Sequence, residues 1–140
     1  MKRILLVDDD VASCEMAIRI LKELDCAVDT VPDGSTALKH LRHAAPDAVL
    51  VSVNISEMAG SAFVAACHQV SDCSGLPVVV MAVTPLAAVD AIRLGARGCI
   101  KKPLDKGGVM AGLQPLLQDR ETRLRPGGPI AIKIAVVTRA

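Results

Sequence analysis

The sequence predicts an α/β fold in which five strands and five helices alternate as one doubly wound (βα)5 domain. Short apolar runs recur five times along the chain, and segments with apolar residues at helical spacing separate them. Three of the runs are apolar without alternation, which is typical of parallel strands that helices cover on both faces. The five runs are residues 4–7, 27–31, 48–53, 77–83 and 98–101.

The helices are predicted from apolar residues that recur three or four positions apart. Turn residues such as Asp33-Gly34 and Gly95 fall between the elements, which supports the boundaries. Residues that carry the five helical patterns are Met16, Ala17, Ile20, Leu21 and Leu24; Ala37, Leu38 and Leu41; Phe63, Cys67 and Val70; Ala88, Ala91 and Ile92; and Val109, Leu113, Leu116 and Leu117.

Composition excludes several classes of function. The chain has 140 residues, 51% of them hydrophobic, with a net charge of +1 and Phe63 as its only aromatic residue, so neither a charge-driven nucleic-acid surface nor a base-stacking platform is expected. No apolar run approaches the roughly 20 residues that cross a bilayer, and no signal-peptide core follows the first residues. A cytoplasmic protein is expected, with its five cysteines as small buried side chains rather than disulfides or zinc ligands.

Polar residues follow the predicted strands at the edge where parallel α/β sheets bind ligands. Asp8, Asp9 and Asp10 follow the first strand, and Lys102 follows the fifth, directly before Pro103. Each of these signals has an ordinary structural explanation when it is considered alone. One aspartate, such as Asp10, could cap the first helix, and the lysine could lie on the surface. Together, acid after the first strand and Lys-Pro after the fifth form a specific constellation.

This constellation resembles the receiver domain of two-component response regulators, over residues 2–118. The resemblance implies a flavodoxin-like sandwich with strand order 2-1-3-4-5. Members of that family move a phosphoryl group from a histidine kinase onto an aspartate that ends the third strand, with Mg²⁺ at the acidic pair, and usually hold the Lys-Pro bond cis. The matching residues are the stretch 4–10, Asp33-Gly34, Ala37-Leu38, Pro46-Asp47, Gly60, the stretch 77–81, Gly95-Ala96 and Lys102-Pro103.

Three positions depart from the family pattern. The family's acceptor aspartate falls on Ser52, its Ser/Thr after the fourth strand on Ala82, and its aromatic switch in the fifth strand on Cys99. A serine supplies no carboxylate for an acyl phosphate or for a metal. These departures favour a degenerate receiver, or pseudo-receiver.

The remaining ligands imply weak Mg²⁺ binding at most, through Asp9 and the backbone carbonyl of Asn54, with Asp8 and Asp9 forming the acidic pocket. No other cofactor is expected. Lys102 is expected to pair with Asp8 or Asp9 and to replace part of the metal's charge.

The favoured function is therefore a non-enzymatic signalling module that acts by protein–protein interaction. The alternative is a receiver that keeps a phosphorelay role through noncovalent binding of a kinase or a partner receiver. A more remote alternative is a Ser–Lys hydrolase built on Ser52 and Lys102. The expected partner is a protein: a histidine kinase, another receiver or an effector. Binding to nucleic acid or to a membrane is not expected. The sequence does not decide whether the domain forms a homodimer. His40 and His43 are expected to be solvated helix residues rather than metal ligands.

Residues 119–140 are predicted to be a tail or linker outside the domain. The helical pattern stops at Leu117, a Pro-Gly-Gly-Pro stretch follows at 126–129, and Ile130, Ile132 and Ile134 alternate with smaller or charged residues. This pattern leaves two alternatives. The segment could add a strand to the edge of a sheet, in the same molecule or in a second copy, or it could be disordered, and we favour disorder.

Overall fold

The computed structural model describes residues 2–54, 60–69 and 75–124. Its strands are β1 (Lys2–Val7), β2 (Cys26–Val31), β3 (Ala48–Ser52), β4 (Val78–Ala82) and β5 (Gly98–Lys101). Its helices are α1 (Val11–Glu23), α2 (Gly34–His43), α3 (Gly60–Cys67), α4 (Val89–Arg93), which a 3-10 turn at Pro85–Ala88 precedes, and α5 (Lys106–Leu124).

The five strands form one parallel sheet in the order β2-β1-β3-β4-β5, which confirms the predicted fold class and topology. Val7 pairs with both Val31 and Val51, and Ser52 pairs with Met81. The register thereby brings the carboxyl ends of neighbouring strands to one edge of the sheet. The residues that follow the strands share this edge.

Helices cover both faces of the sheet, so each face has its own core. On one face Leu5 and Val7 pack with Phe63 of α3, and on the other Ile4 and Leu6 pack with α1 and α5. All residues of β3 and β4 are buried, because their odd and even side chains enter different cores. This two-sided burial explains why those apolar runs show no alternation.

The helix boundaries follow from capping at two places. The Asp10 side chain accepts a hydrogen bond from the Ala12 N–H at 3.2 Å and caps α1, which is one of the roles that the sequence left open for the three aspartates. Asp33 caps α2 in the same way through the Thr36 N–H at 2.8 Å, so Gly34 begins the helix instead of lying between elements. On α1 the buried stripe is Ala17, Ile20 and Leu21; Met16, which the pattern included, is 40% exposed.

The last helix differs from the sequence prediction. It continues to Leu124, whereas the predicted domain ends at Gln118 and the predicted tail begins at residue 119. The apolar pattern ends at Leu117, which belongs to the core cluster, whereas the helix continues for seven more residues. The alternating segment that begins at Ile130 lies outside the described residues, as does Val70.

Within the residues that the structure describes, none of the helices is both long and apolar enough to cross a membrane.

Gly112 of α5 lies directly against β5. A Cβ atom at position 112 would lie 2.7 Å from Ile100 Cγ1, and Ile100 is itself buried. Gly112→Ala is therefore expected to lower the free energy of unfolding by about 1–3 kcal/mol, because either the helix or Ile100 must move. The matched control is Gly107→Ala in the first turn of the same helix, where the nearest atom would lie 3.6 Å away. We expect this control to change stability by less than about 1 kcal/mol in urea denaturation; equal losses in both variants would contradict the close approach.

Candidate functional site

Three polar side chains from three different strands meet at the carboxyl edge of the sheet. Asp8 follows β1, and its N–H still donates to the Val31 carbonyl of β2 at 3.2 Å. Ser52 is the last residue of β3. Lys102 follows β5, and its N–H donates to the Ala82 carbonyl at 2.8 Å. The strand register therefore fixes where all three side chains begin.

The Lys102 ammonium lies between the other two groups. Its Nζ donates to Asp8 Oδ2 at 2.8 Å and to Ser52 Oγ at 3.2 Å. The Asp8 side chain is 1% exposed and that of Lys102 is 15% exposed. Lys102 thus pairs with Asp8, one of its two predicted partners. A charge-assisted bond at this depth is shielded from solvent and stronger than a surface ion pair.

Backbone and thiol groups complete the surroundings of Asp8. The Asp10 N–H donates to Asp8 Oδ1 at 3.0 Å, so both carboxylate oxygens accept a hydrogen bond. Cys14 of α1 donates its thiol to the Asp8 carbonyl at 3.3 Å. Burial and the negative charge of Asp8 raise the pKa of the Cys14 thiol, so it remains protonated and can donate. Sequence reasoning missed Cys14; its place one turn into the helix that follows Asp8 was the available signal.

The other acidic and loop residues of the predicted site lie outside this buried cluster. Asp9 and Asn54 are both exposed. Asp10 is exposed as well and is engaged in capping, with the Ser13 hydroxyl at 2.8 Å from Oδ2; this bond lowers the pKa of Asp10. The Lys102–Pro103 peptide bond is cis, as the resemblance implied.

The two predicted switch positions carry small, buried side chains. Ala82 ends β4 with 1% exposure, and Cys99 lies in β5 with 7% exposure. Both belong to the core cluster that also contains Ala88 and Ala91. Burial raises the pKa of the Cys99 thiol, so the side chain remains neutral in this core. Neither side chain offers the hydroxyl or the aromatic ring that the family pattern has at these places.

The residues present do not fit the Mg²⁺ ion that receiver domains hold. Mg²⁺ needs oxygen ligands in near-octahedral geometry, usually with carboxylates among them. Here Ser52 contributes a hydroxyl, and both oxygens of Asp8 are already engaged by Lys102 and by the Asp10 N–H. Across residues 2–54, 60–69 and 75–124, no three His, Cys, Asp or Glu side chains are grouped so that they could hold a metal.

Among the residues that the structure describes, the two histidines of α2 form no hydrogen bond or ion pair with the Asp8–Ser52–Lys102 cluster; His40 contacts β2 instead. His40 Nε2 is 3.8 Å from Asp29 Oδ2, which also accepts from Arg3 Nη1 at 3.1 Å. His43 is exposed. His40, Asp29 and Arg3 therefore form a polar group that joins α2, β2 and β1 near the surface.

The strand order and the position of the strand-end cluster, defined as Asp8, Ser52 and Lys102, point to one protein family. Residues 4–114 match the family model of the response regulator receiver domain. The chain belongs to this family. It is accordingly the receiver domain of a two-component response regulator, a signalling module of a type that interacts with proteins such as kinases and effectors.

Individual relatives share the domain but differ in what surrounds it. The transcriptional regulatory protein ZraR of Escherichia coli is 31% identical over 116 residues, which are 81% of this chain and 26% of ZraR. A protein-glutamate methylesterase/protein-glutamine glutaminase of Cereibacter sphaeroides is 32% identical over 72% of this chain and 28% of its own length. The chain thus spans about a quarter of each of these relatives.

A solved structure matches almost over its whole length. The chemotaxis response regulator CheY4 of Vibrio cholerae superposes with a TM-score of 0.77 at 27% identity, covering 83% of this chain and 98% of CheY4. The receiver fold therefore accounts for most of the present chain.

Proposed function

We propose that this receiver domain is a pseudo-receiver, which acts by binding a protein partner without aspartyl phosphorylation. The observation that supports this most strongly is the pairing of Lys102 with both Asp8 and Ser52 at the end of β3. Ser52 stands where the family pattern has its acceptor aspartate, and its hydroxyl cannot form an acyl phosphate.

The same geometry argues against phosphorylation or acyl transfer on the serine itself. A serine nucleophile needs a base that takes its proton, and the basic group within hydrogen-bonding distance is Lys102. The Lys102 ammonium donates to Asp8 at 2.8 Å as well as to Ser52, and an ammonium group cannot accept a proton. A Ser–Lys hydrolase is therefore disfavoured, and we propose that the domain is not an enzyme.

The switch positions favour a module with one constant conformation. A receiver that signals phosphorylation needs a group that contacts the phosphoryl oxygens and a side chain that changes place in response. Ala82 and Cys99 provide neither, since both are small and packed in the core. We propose that partner binding is constitutive, whether the partner is a kinase, another receiver or an effector.

Exposed apolar residues near the carboxyl end of β4 offer a surface for such a partner. Val83 is 63% exposed and Leu86 is 81% exposed, and Val89 and Leu94 are also partly open to solvent. These four residues come from one short stretch of the chain, residues 83–94, and exposed apolar side chains that form a patch are typical of protein contact sites. We place the partner contact on this α4 surface, defined as Val83, Leu86, Val89 and Leu94, and the site of action in the cytoplasm.

The proposal predicts binding that does not respond to a phosphodonor. Immobilised protein, pretreated with acetyl phosphate and Mg²⁺ and then desalted, is expected to capture the same partner from the source cell in the same amount as untreated protein. Leu86→Asp is expected to reduce capture at least about tenfold, because a charge would be buried in an apolar contact. Ala87→Asp, at an exposed neighbouring position, is the matched control and should retain capture.

Two outcomes would count against this proposal. A change of several fold in capture after phosphodonor treatment would indicate a working phosphorylation switch. Equal capture by wild type and Leu86→Asp would remove the α4 surface as the contact site.

A further inference from the structure

An open groove lies between the first turns of α1 and the end of β2, and we call it the α1–β2 groove. Its floor is buried, since Val31 is 8% exposed and the Asp8 side chain is 1% exposed. Its walls are open to solvent, because Val11 is 70% exposed and Glu15 is exposed as well. The volume is about 290 Å³. The lining consists of Asp8, Asp9, Val11, Cys14 and Glu15 on one side and of residues 30–32 on the other.

The α1–β2 groove is separate from the strand-end cluster, although Asp8 borders both. Lys102 reaches Asp8 from the end of β5, whereas the far wall of the groove is the end of β2. These two strands are the opposite edges of the sheet. The groove contains neither Ser52 nor any residue of the α4 surface, so what it binds does not depend on the function proposed above.

The part of the fold that forms the groove is acidic, although the chain as a whole is close to neutral. Residues 4–18 and 26–38 contain no lysine, arginine or histidine, but they contain six of the fifteen acidic residues. Burial raises the pKa of the Cys14 thiol in this groove, and the charge of Asp8 adds to the shift, as expected where the potential is negative. Glu15 forms no ion pair with any residue that the structure describes. A positively charged group is therefore the complement of this surface.

We propose that the α1–β2 groove is a docking site for an arginine side chain of a protein partner. An arginine combines an apolar stem with a planar cation, and the groove offers an apolar wall at Val11 and Pro32 next to the carboxylates of Asp9 and Glu15. The guanidinium can donate two parallel hydrogen bonds to one carboxylate. A purely apolar side chain would instead remove water from these carboxylates without giving them a partner, which is costly.

An NMR titration of the complete chain with N-acetyl-arginine amide tests the proposal. We expect saturable shifts of the Val11 and Val31 methyl signals, with a dissociation constant on the order of millimolar, as suits a single side chain. N-acetyl-citrulline amide has nearly the same shape without the charge and should bind at least about fivefold more weakly.

Two variants of α1 locate the contact. Glu15→Gln should weaken binding of the arginine derivative at least about threefold, because it removes one exposed charge pair. Glu23→Gln removes the same charge at the other end of the helix, where Glu23 faces Lys106 at 3.6 Å, and should leave the affinity unchanged.

Three results would overturn the proposal. Equal affinity for the citrulline derivative would show that the groove does not recognise a cation. Equal losses in Glu15→Gln and Glu23→Gln would reduce the effect to the overall charge of the domain. Shifts of the Val11 and Val31 signals with protein concentration alone, before any derivative is added, would assign the groove to a second copy of the chain.

Discussion

Ser52→Asp is expected to bind Mg²⁺ at least about tenfold more tightly than the wild-type chain, a gain of about 1.4 kcal/mol. The new carboxylate would lie beside Lys102, whose Nζ is 3.2 Å from Ser52 Oγ, and would compete with Asp8 for the ammonium. Asp8, Asp9 and residue 52 could then supply three carboxylates from neighbouring strand ends, which is a ligand set that suits Mg²⁺. Isothermal titration calorimetry measures the difference.

The control for this variant is Ser52→Asn, which has nearly the same size but no charge. It should bind Mg²⁺ as weakly as wild type. If Ser52→Asn gained affinity equally, or if Ser52→Asp gained none, the missing carboxylate would not be the reason for the poor fit to Mg²⁺.

Phosphorylation should return less completely than metal binding in Ser52→Asp. Catalysis of phosphoryl transfer depends mainly on positioning and charge stabilisation, and Ala82 offers no hydroxyl to the phosphoryl oxygens. The double variant Ser52→Asp/Ala82→Thr is therefore expected to label faster with acetyl phosphate than Ser52→Asp alone. Equal rates for the two would contradict the role assigned to position 82.

Lys102→Met is expected to lower the free energy of unfolding by about 3 kcal/mol. The substitution leaves the Asp8 carboxylate, which is 1% exposed, without its cationic partner, and an uncompensated buried charge is among the costliest defects in a folded protein. Urea denaturation at neutral pH measures the loss.

Two further variants separate the ion pair from simple packing. Lys101→Met, at the exposed neighbouring position, should change stability by less than about 0.5 kcal/mol. Asp8→Asn combined with Lys102→Met should recover at least half of the loss, because it removes the unpaired charge. If the double variant were as unstable as Lys102→Met, the loss would come from packing of the lysine side chain instead.

The fold could be predicted closely from sequence because the pattern that determines it is local. Because both faces are buried, β4 is apolar throughout and β3 is apolar up to its last residue, Ser52. The aspartates after β1 and Lys102 after β5 mark where the chain leaves the sheet. The end of α5 could not be predicted in this way. The apolar spacing ends at Leu117, and the charged residues that follow it carry no periodic signal, whereas the helix continues to Leu124.

The candidate site was predicted only in outline. Sequence identified the residues near the crevice but left Asp8 and Asp9 as equal partners for Lys102. The structure shows the pairing with Asp8, which is still hydrogen bonded to β2 and is buried. The hydrogen bond from the Cys14 thiol to the Asp8 carbonyl depends on how α1 is rotated against the sheet. The spacing of apolar residues does not specify this rotation.

The central claim is that the wild-type domain does not accept a phosphoryl group, and intact-mass spectrometry after incubation with acetyl phosphate and Mg²⁺ tests it most directly. Ser52→Asp/Ala82→Thr serves as the positive control in the same experiment. We expect the wild-type mass to remain that of the unmodified chain while the control gains label. An added phosphate on the wild-type chain, mapped to Ser52, Asp8 or Asp9, would contradict the pseudo-receiver assignment and restore an active phosphorelay role.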